Sequence, residues 1–337
     1  MNMACRVGLL ILLWGAVFSD SDSWGQQPAS SPNTATNSAP SAGANAEAYV
    51  KFGRSNGANG DLDGAIAAFT EAAKIDPKYP PAYENRGVAE MLQRKLKEAI
   101  ADFDTAIQLD DKYQDAYYNR GTSKAQLGDF DGAIADFNKA IELNPNYASA
   151  FYNRGHAKYF KGDLDGALAD ITQSINLDPS SPYAYFIRGL IRHAKGDKEG
   201  ATSDFQASMN ASHGFPFAAF WIWIIGTESG DRGIARSDLS DALAKSQLFK
   251  PDDWPTSIGG FLMEKVTQDE LMAKAKEGNE SQSRLCEAWF YTGISLRFSG
   301  DKKGALAAFQ QAMATGAKDS EEYIEAQRQI DKLQAPE

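Results

Sequence analysis

The sequence predicts an all-α fold, a solenoid of stacked helical hairpins, on three observations. Residue columns recur every 34 positions; they hold one register over residues 46–215; and the stretches between them carry apolar residues at helical spacing, closed by turn residues. Ala65, Ala99, Ala133, Ala167 and Ala201 form one column, and Gly53, Gly87, Gly121, Gly155 and Gly189 a second. Bulky columns run through Phe69, Phe103, Phe137, Ile171 and Phe205, and through Tyr49, Tyr83, Tyr117, Phe151 and Tyr185. Small residues let two helices approach closely and large ones fill the seam between them. Each repeat therefore reads as a helix, a tight turn such as Gly128-Asp129 or Gly162-Asp163, and a second helix, which Pro77, Pro145 and Pro179 stop where they follow. The repeats begin at Ala46, Pro80, Gln114, Ala148 and Pro182, and the expected product is one continuous right-handed superhelix rather than two globular domains.

The other segments follow in order. Arg6 precedes an apolar run over residues 7–18, and Ser23-Trp24-Gly25 offers the small residues a signal peptidase reads, so residues 1–25 are expected to be a cleaved export signal. The run is too short for a stable membrane span, and Cys5 lies before it rather than after it, so no lipid anchor is expected. Residues 26–45 lack charge and are rich in Ser, Ala, Asn and Pro, a flexible-linker composition. The repeat frame weakens over 216–285, where Trp223 stands in the glycine column, although Asp253-Trp254-Pro255 and the capping box from Thr267 to Glu270 each open a helix. A regular repeat returns over 286–319 with Trp289, Gly293, Gly300, Ala305, Phe309 and Ala312, and residues 320–334 are expected to cap the open end.

Composition narrows the function. A net charge of −11 leaves no basic surplus for a phosphate backbone, so nucleic acid is not an expected partner. Two cysteines and three histidines leave little for a metal site or a catalytic dyad. The turn containing Asp61 and Asp63 imitates the start of a calcium loop, yet Thr70 stands where the loop needs glutamate, and Gly-Asp-x-Asp-Gly recurs at 128 and 162 as an interhelical turn. Phosphate loops and hydrolase signatures are missing, so neither metal nor cofactor is expected. Cys286 is expected to be a buried thiol, with a Cys286-dependent enzyme as the alternative from another class.

The columns resemble the tetratricopeptide repeat, matched as five consecutive repeats over 46–215. The resemblance implies a tetratricopeptide-repeat solenoid whose concave face is formed by first-helix positions 2, 5, 6, 9, 12 and 13 and takes extended polypeptide. Those positions here hold Asn85, Tyr118, Asn119, Tyr152, Asn153, His156, Tyr159, Phe160, Tyr183 and Phe186. Asparagines can bond the backbone of a bound segment and tyrosines give rigid contact area, while the same aromatics can equally be spacers between repeats. Repeats two to five carry arginine at position 7 and aspartate at position 23: Arg86 with Asp102, Arg120 with Asp136, Arg154 with Asp170, Arg188 with Asp204. The first repeat has neither, so an ion pair inside each of four hairpins is expected.

The carboxy-terminal third, through Trp254-Pro255, Phe261-Leu262, Leu285-Cys286-Glu287-Ala288-Trp289 and Glu322-Tyr323, resembles the periplasmic tetratricopeptide lipoproteins of the NlpI type. That resemblance implies a non-enzymatic envelope adaptor, often homodimeric, linking a processing protease to cell-wall hydrolases. A subunit of a secretion or envelope-assembly complex is the alternative. The expected location is the periplasm or the exterior.

Overall fold

Most hairpin turns share one local chemistry, from which repeat 2 departs with Arg94 at φ +66° and an uncapped Lys95. Gly60, Gly128, Gly162, Gly196, Gly230 and Gly300 take φ between +82° and +92°, the left-handed region in which a side chain is strained. An aspartate follows at 61, 129, 163, 197 and 301, and its Oδ1 accepts from the backbone N–H three residues on, at 2.8–3.0 Å. The motif that imitates a calcium loop is therefore a helix N-cap, in which Asp61 Oδ1 accepts from Gly64 N at 2.9 Å. Glycine is required there because a Cβ would lie 2.1 Å from the Asp61 carboxylate.

The computed structural model describes residues 40, 43–211, 216–230, 232–245, 253–278, 280–318 and 320–335. The export signal expected over residues 1–25 and most of the linker over 26–45 lie outside them. The described residues are helical with short connections, an all-α solenoid, and they divide into two compact halves at Leu177 and Asp178.

The first half contains α1 (Ala46–Ala58), α2 (Leu62–Ile75), α3 (Pro80–Leu92), α4 (Leu96–Leu109), α5 (Gln114–Gln126), α6 (Phe130–Leu143), α7 (Ala148–Phe160) and α8 (Leu164–Leu177). They pair as four hairpins, and α2, α4 and α6 also pack on α3, α5 and α7, the first helices of the repeats that follow them. The glycine column marks the crossing within a hairpin: a Cβ on Gly53, Gly87 or Gly121 would lie 2.5–2.9 Å from Phe69, Phe103 or Phe137. Those phenylalanines are fully buried.

The second half contains α9 (Pro182–Ala194), α10 (Lys198–Ala211), α11 (Pro216–Glu228), α12 (Arg232–Lys245), α13 (Trp254–Leu262), α14 (Gln268–Ala275), α15 (Ser281–Ser299), α16 (Lys302–Ala314) and α17 (Glu321–Gln334). Thr267 and Glu270 form the capping box that opens α14. An aromatic chain runs from Phe186 through Phe205, Trp221 and Phe290 to Phe309, at centroid separations of 5.6–6.0 Å. It shows that α11 packs directly on α15. Trp223, in the glycine column, packs edge-on against Phe298 at 5.8 Å, while Gly226 takes over the close approach, with its added Cβ 3.1 Å from Ala235. The apolar residues over 217–225 are thus mostly core rather than an open patch.

Candidate interaction face of the first helices

The arginine column organises the first half. Arg86, Arg120 and Arg154 each grip their aspartate with two nitrogens, Nε and NH2, at 2.5–2.9 Å from Asp102, Asp136 and Asp170. In the second half Arg188 does the same to Asp204, at 2.7 and 2.9 Å. Two-pronged geometry of this kind fixes orientation as well as charge. Each guanidinium also lies 5.3–5.5 Å from the aromatic ring three residues before it, at Tyr83, Tyr117, Phe151 or Tyr185.

The sequence reading missed two further columns. At position 25 of the preceding repeat, Thr70, Asp104 and Asn138 receive the NH1 group of Arg86, Arg120 and Arg154, which ties successive hairpins together. At position 11, Lys124, Lys158 and Arg192 give the aspartates Asp136, Asp170 and Asp204 a second cation at 2.7–2.9 Å. Glu90 occupies that position in repeat 2, where burial and then Asp102 push its carboxyl up to about 7, and its Oε2 is buried without a hydrogen-bond partner.

The structure uses the predicted groove residues mainly to bind repeat to repeat. Eight of the ten, all except Phe160 and Tyr183, are buried. Asn119 Nδ2 donates to Glu84 Oε1 at 3.1 Å, and Asn153 Nδ2 donates to the Tyr118 hydroxyl at 3.0 Å, so position 6 of one repeat reaches back to position 5 of the one before. Asn85 precedes any such acceptor, because Val50 holds position 5 of repeat 1, and its Oδ1 accepts from Arg54 Nε at 2.8 Å instead. Each amide nitrogen donates within the fold, to Pro81 O, Glu84 or Tyr118, while Asn119 Oδ1 and Asn153 Oδ1 are buried without a hydrogen-bond partner. Tyr118 packs on Tyr147 at 4.9 Å. His156 stacks between Tyr152 and Tyr159, with the half-buried Phe160 edge-on at 4.8 Å. In the second half Phe186 packs on Phe205 and Tyr183 is half-buried.

Glu84 carries the unusual electrostatics of this face. Burial, then Asp115, raises its carboxyl to about 7 against the opposing pull of Arg54, Asn119 and Tyr113. Asp115 is itself raised by burial and accepts from the Tyr147 hydroxyl at 3.2 Å. The detectable signal was a glutamate in a column otherwise filled by Val50, Tyr118, Tyr152 and Phe186.

Two polar clusters lie in the second half. Glu228 accepts from Arg297, Lys198 and His193 at 2.7, 3.0 and 3.2 Å, and against the opposing effect of burial these hydrogen bonds hold its carboxyl far below the usual range. Beneath α17, Glu287 accepts from Trp254 Nε1 at 2.7 Å while burial raises it to about 8; burial, then Glu287, also raises Glu322 well above the usual carboxylate range. Cys286 is buried, with its thiol pushed up to about 12, chiefly by burial. A thiol held neutral is a poor nucleophile. Among the described residues no acidic, histidine or cysteine group is arranged to hold a metal, and no helix is long and apolar enough to cross a membrane.

Family models of the tetratricopeptide repeat match residues 50–114, 121–162 and 152–209. No curated protein matches the chain. Among solved structures, a tetratricopeptide repeat protein from Parabacteroides merdae superposes with a TM-score of 0.55 at 16% identity, covering 86% of this chain and 99% of that one. The Pseudomonas aeruginosa pilF structure gives 0.53 at 17%, covering 57% and 88%. The MamA structure gives 0.45 at 28%, covering 47% and 93%. The first two share the fold.

Proposed function

Taking as premise that this chain is a tetratricopeptide-repeat protein, we propose that it is a non-enzymatic scaffold that binds polypeptide segments along the face of its first helices. The observation that supports this most is the division of labour on that face. The buried amides and aromatics fix the spacing of the repeats, leaving the half-buried Arg54, Val88, Asp115 and Phe160 as the side chains a segment would touch. Such a face offers apolar contact flanked by an acid and a base rather than an asparagine backbone clamp. The buried, neutral thiol of Cys286 supports the non-enzymatic reading. The export signal read over residues 1–25 supports a periplasmic or secreted location. Within that location the resemblance to NlpI-type proteins favours an adaptor between a processing protease and cell-wall hydrolases.

The test is crosslinking and affinity capture of the tagged chain from its own cell envelope, beside a Val88→Ser, Phe160→Ala variant whose melting curve matches the parent. Enrichment of a protease with cell-wall hydrolases, lost in the variant, is the expected result. Equal capture by the variant would move the site off this face. Capture of a secretion or assembly complex instead would remove the adaptor role and keep the scaffold.

A further inference from the structure

The first-helix face of the first half carries charge that the fold does not balance. Position 5 is apolar or aromatic in the other regular repeats, as Val50, Tyr118, Tyr152 and Phe186, and is Glu84 in repeat 2. Glu84 is 8% exposed, and half-buried Asp115, at position 2 of the next first helix, acts on it as a like charge. The other buried carboxylates of this half, Asp102, Asp136 and Asp170, each lie against an arginine. Neither Glu84 nor Asp115 has an ion-pair partner among the described residues.

Arg54 is the one base near the pair. It lowers the Glu84 carboxyl, yet its Nε is given to Asn85 Oδ1 at 2.8 Å and it makes no ion pair with either acid. The remaining neighbours are neutral: Asn119 and the Tyr113 hydroxyl on Glu84, and the Tyr147 hydroxyl on Asp115. Burial holds both carboxyls above their ordinary range, with no cation in contact to bring them down. A buried carboxylate in that position either keeps its proton or takes a cation.

A second observation points to an absent partner. Asn119, 4% exposed, turns its amide on Glu84, and its Oδ1 is buried without a hydrogen-bond partner. An acceptor left over beside two acids calls for a donor, and the side chains that bring donors together with positive charge are ammonium and guanidinium. Half-buried Val88, one turn along α3 from Glu84, offers apolar cover for the methylene stem that such a side chain carries. An acidic ligand would meet Arg54, but also two carboxylates that repel it.

We propose that Glu84 and Asp115 together receive a lysine or arginine side chain of the segment bound on this face, with Asn119 as a further acceptor. The proposal deepens the reading of this face as a polypeptide site and rests on it. The charge pair fixes where along the stack a segment sits, which the apolar contacts at Val88 and Phe160 alone would leave free to slide.

Fluorescence anisotropy of the full chain with pools of labelled, end-blocked peptides tests this. Each pool is random in alanine, serine, leucine and valine and carries lysine, arginine, norleucine or glutamate at one fixed position. The lysine and arginine pools should bind roughly tenfold tighter than the norleucine pool, and the glutamate pool should bind weakest. Glu84→Gln with Asp115→Asn, which keeps acceptors for Asn119 and Tyr147, should bring the lysine and norleucine pools within about twofold of each other. A matching melting curve controls for folding; Asp115→Asn alone, at the half-buried position, should already narrow the gap and serves if the double variant does not fold. Val88→Ser with Phe160→Ala should weaken every pool. Equal binding of all pools, lost in that apolar variant, would keep the polypeptide site and overturn the cation site. A lysine preference that survives the Glu84 and Asp115 substitutions would overturn it as well, and binding of no pool would overturn both readings.

Discussion

Glu90 is the clearest point at which one side chain sets a local free energy. Three repeats place Lys124, Lys158 or Arg192 at that position, each within 2.9 Å of an aspartate that already holds an arginine. Repeat 2 puts a carboxylate there and leaves one oxygen buried without a partner. Because its folded pKa, about 7, lies above its unfolded value, the folded state binds the extra proton, and stability is lost as pH rises through 7. Glu90→Lys should stabilise the first half by about 1 kcal/mol at pH 8, more than at pH 5, as read by urea denaturation. No gain at pH 8 would mean that Asp102 is already satisfied by Arg86 alone. At this scale the sequence was partly legible. Position 7 and position 23 change together across the five regular repeats, which exposes the arginine and aspartate pairing in the sequence itself. Position 25 varies among Thr70, Asp104 and Asn138, three different acceptors for one donor, so no column was visible. The asparagines at position 6 were found, but which way each amide turns depends on what stands at position 5 one repeat earlier, a contact across 35 residues.

At the scale of elements, the hairpin turn decides cost and register. Arg94→Gly removes a strained left-handed side chain at an exposed position. It should raise stability by about 0.5–1 kcal/mol, the relief of strain being partly offset by the added freedom of glycine in the unfolded chain. A chemical-denaturation curve unmoved by the change would mean that the turn tolerates arginine without strain. Helix α11 was legible as apolar but not as to its neighbour. Its residues follow no single stripe because the helix is buried on several sides, by α10, α12 and α15, and a helix buried all round carries no sided pattern in its sequence. Trp223 in the glycine column signalled that the crossing had moved; only packing shows that it moved to Gly226 and Ala235.

On the scale of the whole molecule, the 34-residue period was sufficient for the fold of the first half, since each repeat contacts mainly its neighbours. The second half required long-range information. There α17 caps α15 and α16 with a helix that buries Glu321, Glu322, Glu325 and Gln329, a polar face no hydrophobic pattern would select. Glu287, at about 8, and Glu322 are both shifted above their unfolded values by burial, so the cap is most stable at low pH and loses stability as pH rises through 8. Hydrogen exchange of α17 should therefore quicken between pH 7 and pH 9, after correction for intrinsic rates, and Glu287→Gln should flatten that dependence. An unchanged profile in the variant would assign the proton to Glu322.

The direct packing of α11 on α15 also bears on the order in which the chain folds. In the first half every stacking contact closes a short loop, so assembly can begin at any hairpin and spread. In the second, Arg297 reaches Glu228 across 69 residues, and the aromatic chain between α11 and α15 closes a loop of similar length. Doubling a loop adds only about 0.6 kcal/mol of closure entropy, little at equilibrium. Kinetically it matters more, because α15 and its hairpin must exist before α11 has anything to cover it, and until then its tryptophans stand in water. A chain emerging from its amino terminus exposes that apolar helix some 60 residues before its cover arrives, which makes the interval between them the stretch of synthesis most in need of protection from aggregation.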